Sequence, residues 1–176
     1  RSGGGADTLY LGSTDSDGTS TVNDLSGYLV LDGQGGSDTL RVNDSGDGAG
    51  NTGTLSVNRV TGLGTADITY NRLETVNVAL GSGGDAFTVI STHANVTNIY
   101  GQGGGDSLLV ESVAGLTTVD GGAGDDTVTV GDASNTLLNI QAKLVLLGGG
   151  DCGDQAVFDD RAETVGRDWT LATATL

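Results

Sequence analysis

Six aspartates occupy one fixed place in a recurring glycine-rich phrase, and a carboxylate held behind a glycine turn is cation-binding chemistry. The copies are Gly3-Gly-Gly-Ala-Asp7, Gly33-Gln-Gly-Gly-Ser-Asp38, Gly81-Ser-Gly-Gly-Asp85, Gly101-Gln-Gly-Gly-Gly-Asp106, Gly121-Gly-Ala-Gly-Asp125-Asp126 and Gly148-Gly-Gly-Asp-Cys-Gly-Asp154. Glycine admits positive φ and brings backbone carbonyls close together, while aspartate supplies a hard anionic oxygen. Calcium prefers oxygen ligands of both kinds. Turn formation alone accounts for the glycines. It leaves an aspartate at one place in every copy without a reason, on a chain already at net charge −16.

Each aspartate opens a short alternating pattern. The residues two and four places later are Leu9/Leu11, Leu40/Val42, Phe87/Val89, Leu108/Val110, Val128/Val130 and Ala156/Phe158, all apolar. A period of two marks a strand with one buried face. A second stripe lies nine and seven places before the aspartate: Leu29/Leu31, Val76/Val78, Thr97/Ile99, Thr117/Val119 and Val145/Leu147. Asp85, Asp106 and Asp126 are spaced at about 20 residues, too few for a unit to bury its own apolar face. Such units must stack. The expected fold is all-β, a parallel β-solenoid of the β-helix or β-roll kind with coils of about 20 residues, right-handed as parallel crossovers favour. Coils about 4.8 Å apart would align Asp85, Asp106 and Asp126 in one ladder along an edge. Carboxylates that close repel by roughly 3 kcal/mol per pair at an effective dielectric near 20, a cost that a bound divalent ion reverses.

The longer gap from Asp38 to Asp85 reads as two coils. Thr54–Val60 and Ile68–Tyr70 within it are strand-like but have no glycine-aspartate turn, so one coil there is expected to lack the acidic loop. A longer period is superimposed. Asp38–Asp44 matches Asp154–Asp160 at an offset of 116 residues, with Gly50 matching Gly166 and Thr54-Leu55 matching Thr170-Leu171. Residues 1–176 therefore read as one solenoid segment of about one and a half super-repeats from a longer array.

The phrase resembles the nonapeptide of RTX (haemolysin-type) calcium-binding repeats, G-G-x-G-x-D-x-U-x with U a large apolar residue. Gly121-Gly-Ala-Gly-Asp-Asp-Thr-Val-Thr129 matches it in full. The resemblance implies that Ca²⁺ lies between successive turns, held by carbonyls and the aspartate. It thus implies Asp126, Asp106, Asp85, Asp38, Asp125, Asp154 and Asp7, with Gly121, Gly101 and Gly33, as the metal-binding set. The chain departs from the pattern where Gln34 and Gln102 replace the second glycine, Leu80 and Ser2 the first, and Cys152 the last. Its copies also recur about every 20 residues rather than in tandem every nine, so one edge alone is expected to carry metal.

Composition narrows the function. The 176 residues include 32 Gly, no Pro and 4% aromatics, with 36% hydrophobic residues; this suits a narrow core. The strong negative charge repels nucleic acid and anionic membranes. No apolar run reaches the length needed for membrane insertion. No nucleophile elbow, HExxH, phosphate loop or CxxC is present, so no catalytic residue is assigned. His93, the lone histidine, reads as exposed on the edge opposite the aspartate ladder. Cys152 reads as an unpaired loop thiol. Asp44 and Asp47, with Asp159, Asp160 and Glu163, read as a solvated acidic loop or a second cation site. Asn43-Asp-Ser45 and Asn95-Val-Thr97 fit the glycosylation sequon, which carries little weight alone. Trp169 aligns with Gly53 and reads as a plug for a coil end or a contact with further chain.

The leading expectation is a non-catalytic, extracellular or cell-surface repeat module of an adhesin, filament or surface layer. Calcium stiffens it, and it self-associates by stacking end to end. The alternative is a calcium-dependent secretion or folding module of an exported enzyme. Direct carbohydrate binding is a third reading, weakened by the scarcity of exposed aromatics, among which Tyr10 and Tyr28 are the leading candidates.

Overall fold

Short runs of Val, Leu, Ile and Thr in strict alternation, cut by glycine turns, fold as strands, most of which stack in parallel rather than pair in hairpins. A computed structural model describes residues 3–12 and 20–164. These hold β1 (Gly4–Gly5), β2 (Thr8–Leu11), β3 (Ser26–Asp32), β4 (Gly35–Gly36), β5 (Thr39–Asn43), β6 (Thr52–Ser56), β7 (Arg59–Thr61) and β8 (Thr65–Asn71). They continue with β9 (Thr75–Ala79), β10 (Ala86–Val89), β11 (Val96–Tyr100), β12 (Ser107–Val110), β13 (Thr117–Asp120), β14 (Thr127–Val130), β15 (Leu144–Leu147) and β16 (Gln155–Phe158). Among the described residues there is no helix, and so none long and apolar enough to cross a membrane.

From β9 onward the chain alternates between two sheets. A six-stranded sheet runs β15-β13-β11-β9-β5-β2, every pair parallel. An eight-stranded sheet runs β16-β14-β12-β10-β6-β7-β8-β3. Turns 80–85, 101–106, 121–126 and 148–154 lead from the six-stranded to the eight-stranded sheet along what we call the front edge. Turns 72–74, 90–95, 111–116 and 131–143 return along the back edge. The result is an all-β, solenoid-like stack whose core lies between the inner faces. Val76, Val78, Ile99 and Val119 from one sheet meet Phe87, Val89, Leu108, Val110, Val128 and Val130 from the other, all buried.

Three features depart from the sequence reading. First, residues 52–71 are not a coil. β7 pairs antiparallel with both β6 and β8, so this stretch folds as a meander inside the eight-stranded sheet. Gly62, at φ +84°, sits where a Cβ would lie 2.1 Å from the Thr52 carbonyl, and so permits the reversal. The stretch adds strands without a sheet crossing, which alternation alone does not reveal.

Second, the strands after Asp7 and Asp38 lie in the six-stranded sheet, whereas those after Asp85, Asp106, Asp126 and Asp154 lie in the eight-stranded sheet. The 116-residue match between Asp38–Asp44 and Asp154–Asp160 therefore relates β5 to β16 across the stack. One super-repeat carries the chain half a coil out of phase. Gly166, Thr170 and Leu171, which complete that match, lie outside the described residues, as do Trp169 and Ser2.

Third, the inner stripe of β15 is Leu144/Leu146, packed on the core, and not Val145/Leu147. Leu147 is 38% exposed. The turn at 148–154 holds one residue more than those at 101–106 and 121–126, and a slip of one residue moves every side chain of a strand to the opposite face.

Candidate metal-binding edges

Successive rungs bring the aspartates into register because their strands pair residue for residue: Ala86 with Ser107, Ser107 with Thr127, and Thr127 with Gln155. The residue before each is an aspartate. Asp126 N–H donates to Asp154 Oδ1 at 3.0 Å, Asp106 N–H to Asp126 Oδ1 at 2.8 Å, and Asp85 N–H to Asp106 Oδ1 at 2.8 Å. At the next rung Asn51 N–H donates to Asp85 Oδ1 at 2.7 Å. Each carboxylate thus caps the backbone of the coil beside it. Asp85, Asp106 and Asp126 are buried, and Asp154, at the last front-edge turn, is half-buried.

The other carboxylate oxygen folds back into its own turn. A Cβ at Gly101 would lie 2.3 Å from Asp106 Oδ2, one at Gly121 2.3 Å from Asp126 Oδ2, and one at Gly148 2.4 Å from Asp154 Oδ2. That contact is why glycine opens these turns. Asp85 Oδ2 accepts the Gly81 N–H at 3.0 Å, but Asp106 Oδ2 and Asp126 Oδ2 are buried without a hydrogen-bond partner. Burial, with the charges of Asp126 and Asp85 adding to it, pushes the Asp106 carboxyl up to about 7 against the N–H of Asp85. Burial also raises Asp126, with Asp154, Asp120 and Asp125 contributing in the same direction. Asp125 itself is exposed, its carboxylate lying where a Cβ on Gly153 would come within 2.0 Å of Oδ1.

Asp38 and Asp7 are not part of this ladder. They form a second one on the back edge, where the glycine turns around β1 and β4 pair in parallel. Asp7 N–H donates to Asp38 Oδ1 at 2.9 Å, and Asp38 N–H donates to Glu74 Oε2 at 2.6 Å. Asp38 Oδ2 is buried and unpartnered, and a Cβ on Gly33 would lie 2.7 Å from it. The two edges share one local grammar. Gln34 and Gln102, which stand where the phrase has its second glycine, take φ +66° and +76°, the left-handed conformation that Gly122 and Gly149 adopt in the same place.

Three residues of these ladders escaped the glycine phrase: Glu74, Asn51 and Asp44. The first two carry a legible signal, since Glu74-Thr-Val-Asn-Val78 and Asn51-Thr-Gly-Thr-Leu55 repeat the Asp-Thr-Leu-Arg-Val rhythm of residues 38–42 without the glycines. Asp44 opens the front-edge turn of its coil and is fully buried, so the solvated-loop reading is corrected. Its Oδ1 accepts the Val22 N–H at 2.9 Å. Burial, opposed by that bond and helped by the charges of Asp47 and Asp85, raises its carboxyl to about 6. Asp47 is held below the usual carboxylate range by the Ala49 N–H and by Asn23 and Asn51. Asp159 and Asp160 lie at the back edge instead, where Asp160 Oδ1 accepts the Leu137 N–H at 3.2 Å.

His93 does lie on the back edge but is half-buried, its ring edge-on to Tyr70 at 6.2 Å and its Nδ1 3.2 Å from Thr97 Oγ1. Its Nε2 is buried without a partner, and burial lowers its pKa. Cys152 is an exposed free thiol in the last front-edge turn.

A hard cation suits part of this arrangement. Asp106 Oδ2, Asp126 Oδ2 and Asp38 Oδ2 are anionic oxygens without partners inside turns rich in backbone carbonyls. Among the described residues, however, no three His, Cys, Asp or Glu side chains converge closely enough to hold a metal by themselves. Any ion here would take most of its oxygens from the backbone. No protein-family model, no curated protein and no solved structure matches the chain.

Proposed function

We propose that the chain is a non-catalytic structural or adhesive repeat module, stabilised by calcium and acting outside the cell. The observation that carries this reading is the pair of buried, unpartnered oxygens Asp106 Oδ2 and Asp126 Oδ2 in consecutive rungs. A buried carboxylate without a compensating charge is costly, and a divalent ion removes the cost. Asp106 and Asp126, with carbonyls of turns 101–106 and 121–126, would hold the ion; Asp38 would serve the back edge. The resemblance to RTX repeats points the same way. Free calcium is scarce in cytoplasm and abundant outside cells, which sets the compartment. β15 and β16 at one end, with β2 and β3 at the other, each have an unpaired side among the described strands. Parallel stacking of a second copy would extend both sheets into a filament.

A metal-free reading rests on a different observation. Each ladder carboxylate already caps a neighbouring N–H, so aspartate has a structural task without any ion. Circular dichroism and urea melts in EDTA, magnesium or calcium separate the two. Calcium at about 100 times its Kd adds about 2.7 kcal/mol of stability, and Asp106→Asn with Asp126→Asn abolishes that gain. Equal urea midpoints in EDTA and millimolar calcium would sink the calcium reading and leave the capping ladder.

A further inference from the structure

The outer faces of the two sheets differ in a way that folding does not require. On the eight-stranded sheet Thr54, Thr88 and Thr129 stand in one outward row on β6, β10 and β14, as β-branched side chains favour. On the six-stranded sheet an outward row holds Tyr10, Arg41, Asn77 and Asn98, because Tyr10 pairs with Arg41, Arg41 with Asn77 and Asn77 with Asn98. Asn43 and Tyr100 lie two residues further along β5 and β11, on the same face. Asparagine is depleted in strands, so its use at outward positions of β5, β9 and β11 calls for a reason other than the fold. Asn98 Nδ2 donates to Asn77 Oδ1 at 2.8 Å, which fixes both amides and leaves Asn77 Nδ2 and Asn98 Oδ1 without partners among the described residues. Asn43 Nδ2 donates to Tyr10 Oη at 2.6 Å and so anchors that ring, which is 46% exposed. Arg41 is exposed and forms no ion pair among the described residues. No outward position of β5, β9 or β11 holds a carboxylate, although the chain has 23 acidic residues. This face therefore offers a cation nothing, while the acidic molecule as a whole repels a polyanion.

We propose that this face binds a neutral polysaccharide lying along the stack, across β2, β5, β9 and β11. The free donor and acceptor of the Asn77–Asn98 pair, with the Arg41 guanidinium, suit sugar hydroxyls, which themselves both donate and accept. Tyr10 and Tyr100 offer rings to the apolar faces of sugar rings. They stand three rung spacings apart, about 14 Å, so the face meets a run of sugars rather than a single one. Tyr28, the most exposed aromatic at 68%, lies on the other sheet and takes no part. Such binding rests on the adhesive reading proposed above, for which it names the ligand class, and needs no cation. The competing role for the amides is a ladder that serves the sheet alone.

Affinity electrophoresis of the full chain tests this, because its net charge of −16 drives migration without denaturant. In native gels containing calcium and cast with hydroxyethylcellulose, galactomannan or dextran, at least one neutral polymer should retard the chain, and alginate, a polyanion, should not. Asn77→Thr with Asn98→Thr, and separately Tyr100→Ala, should weaken retardation several-fold while strand circular dichroism persists. Thr129→Asn, on the other sheet, should leave retardation unchanged. Migration indifferent to all three neutral polymers would overturn polysaccharide binding, as would retardation that survives both changes to the face. Retardation by alginate as strong as by the neutral polymers would overturn it too. A chain that binds no polymer, dimerises in light scattering and turns monomeric with Tyr100→Ala would assign the face to a second copy and overturn it equally. Any of these failures leaves the structural, calcium-stabilised reading intact, since the urea melts in EDTA and calcium test that reading separately.

Discussion

Asp106 donates its backbone N–H to Asp126 Oδ1 at 2.8 Å, and its own Oδ1 accepts the N–H of Asp85 at the same distance. Each ladder residue is therefore donor on one side and acceptor on the other. The side chain of one coil satisfies the backbone of the coil before it, at the point where the turn hands over to a strand. This accounts for the fixed position of the acid; at residue 51 asparagine stands in, giving its backbone N–H to Asp85 while its side-chain amide donates to Asp44 Oδ2 and Asp47 Oδ2.

Charge on the ladder should make the metal-free chain more stable in mild acid, against the usual trend. Asp106 is raised to about 7 and Asp44 to about 6 from an unfolded value of 3.8. A carboxyl raised on folding contributes stability that is fully present below the unfolded pKa and lost as pH rises through the folded one. In EDTA, urea midpoints should climb as pH falls from about 7 towards 4. A midpoint that falls across this window would show that the ladder carboxylates are not strained by charge.

Glycine at the head of turns 101–106, 121–126 and 148–154 should be required by space rather than by flexibility. Gly101→Ala would bring a Cβ within 2.0 Å of the Gly121 carbonyl oxygen and 2.3 Å of Asp106 Oδ2. Overpacking of this kind costs typically about 1–3 kcal/mol. Gly150→Ala meets nothing within 4 Å and should leave the denaturation midpoint nearly unchanged. Equal losses at the two positions would contradict the packing described.

The two faces of a strand should differ sharply in what they tolerate. Leu108 and Leu109 are neighbours in β12, the first buried at 3% exposure and the second pointing outward. Leu108→Ala should cost about 2–5 kcal/mol, and Leu109→Ala about 0.5 kcal/mol or less. Chemical denaturation of the two variants checks the assignment of faces.

Much of this was legible in the chain itself, and what was not has specific causes. Alternation after Asp85, Asp106 and Asp126 foretold the strands, their inner faces and the front-edge ladder, because uniform spacing leaves the register no freedom. Alternation carries no information about which sheet a strand joins. Asp7 and Asp38 therefore looked equivalent to the other four, although the meander of β6, β7 and β8 intervenes and their strands lie in the other sheet. A count of seven and nine residues back from Asp154 falls on Val145 and Leu147 rather than on the inward Leu144 and Leu146, because the turn at 148–154 has an added residue. Loop composition gives no sign that Asp44 is buried with its Oδ1 accepting the Val22 N–H. Glu74 shows the converse: its role was written in the residues after it, not in the glycines before.

The division into two edges makes a prediction about energetic coupling that a single ladder does not. Asp106 and Asp126 share a hydrogen bond, whereas Asp38 and Asp126 share no partner and lie on opposite edges. β5 and β13 are separated by β9 and β11, so three rung spacings, about 14 Å at roughly 4.8 Å each, lie between their coils. Independent sites at such distances add within about 0.3–0.5 kcal/mol, while residues in one hydrogen-bonded network couple by about 0.5–3 kcal/mol. A double-mutant cycle of Asp106→Asn with Asp126→Asn should depart from additivity, and one of Asp38→Asn with Asp126→Asn should not. Asparagine keeps an acceptor for the neighbouring N–H and removes the charge, so the coupling read is electrostatic and free of a lost cap. Coupling of equal size in both cycles would place all three carboxylates in one cooperative array and contradict the separation of the edges.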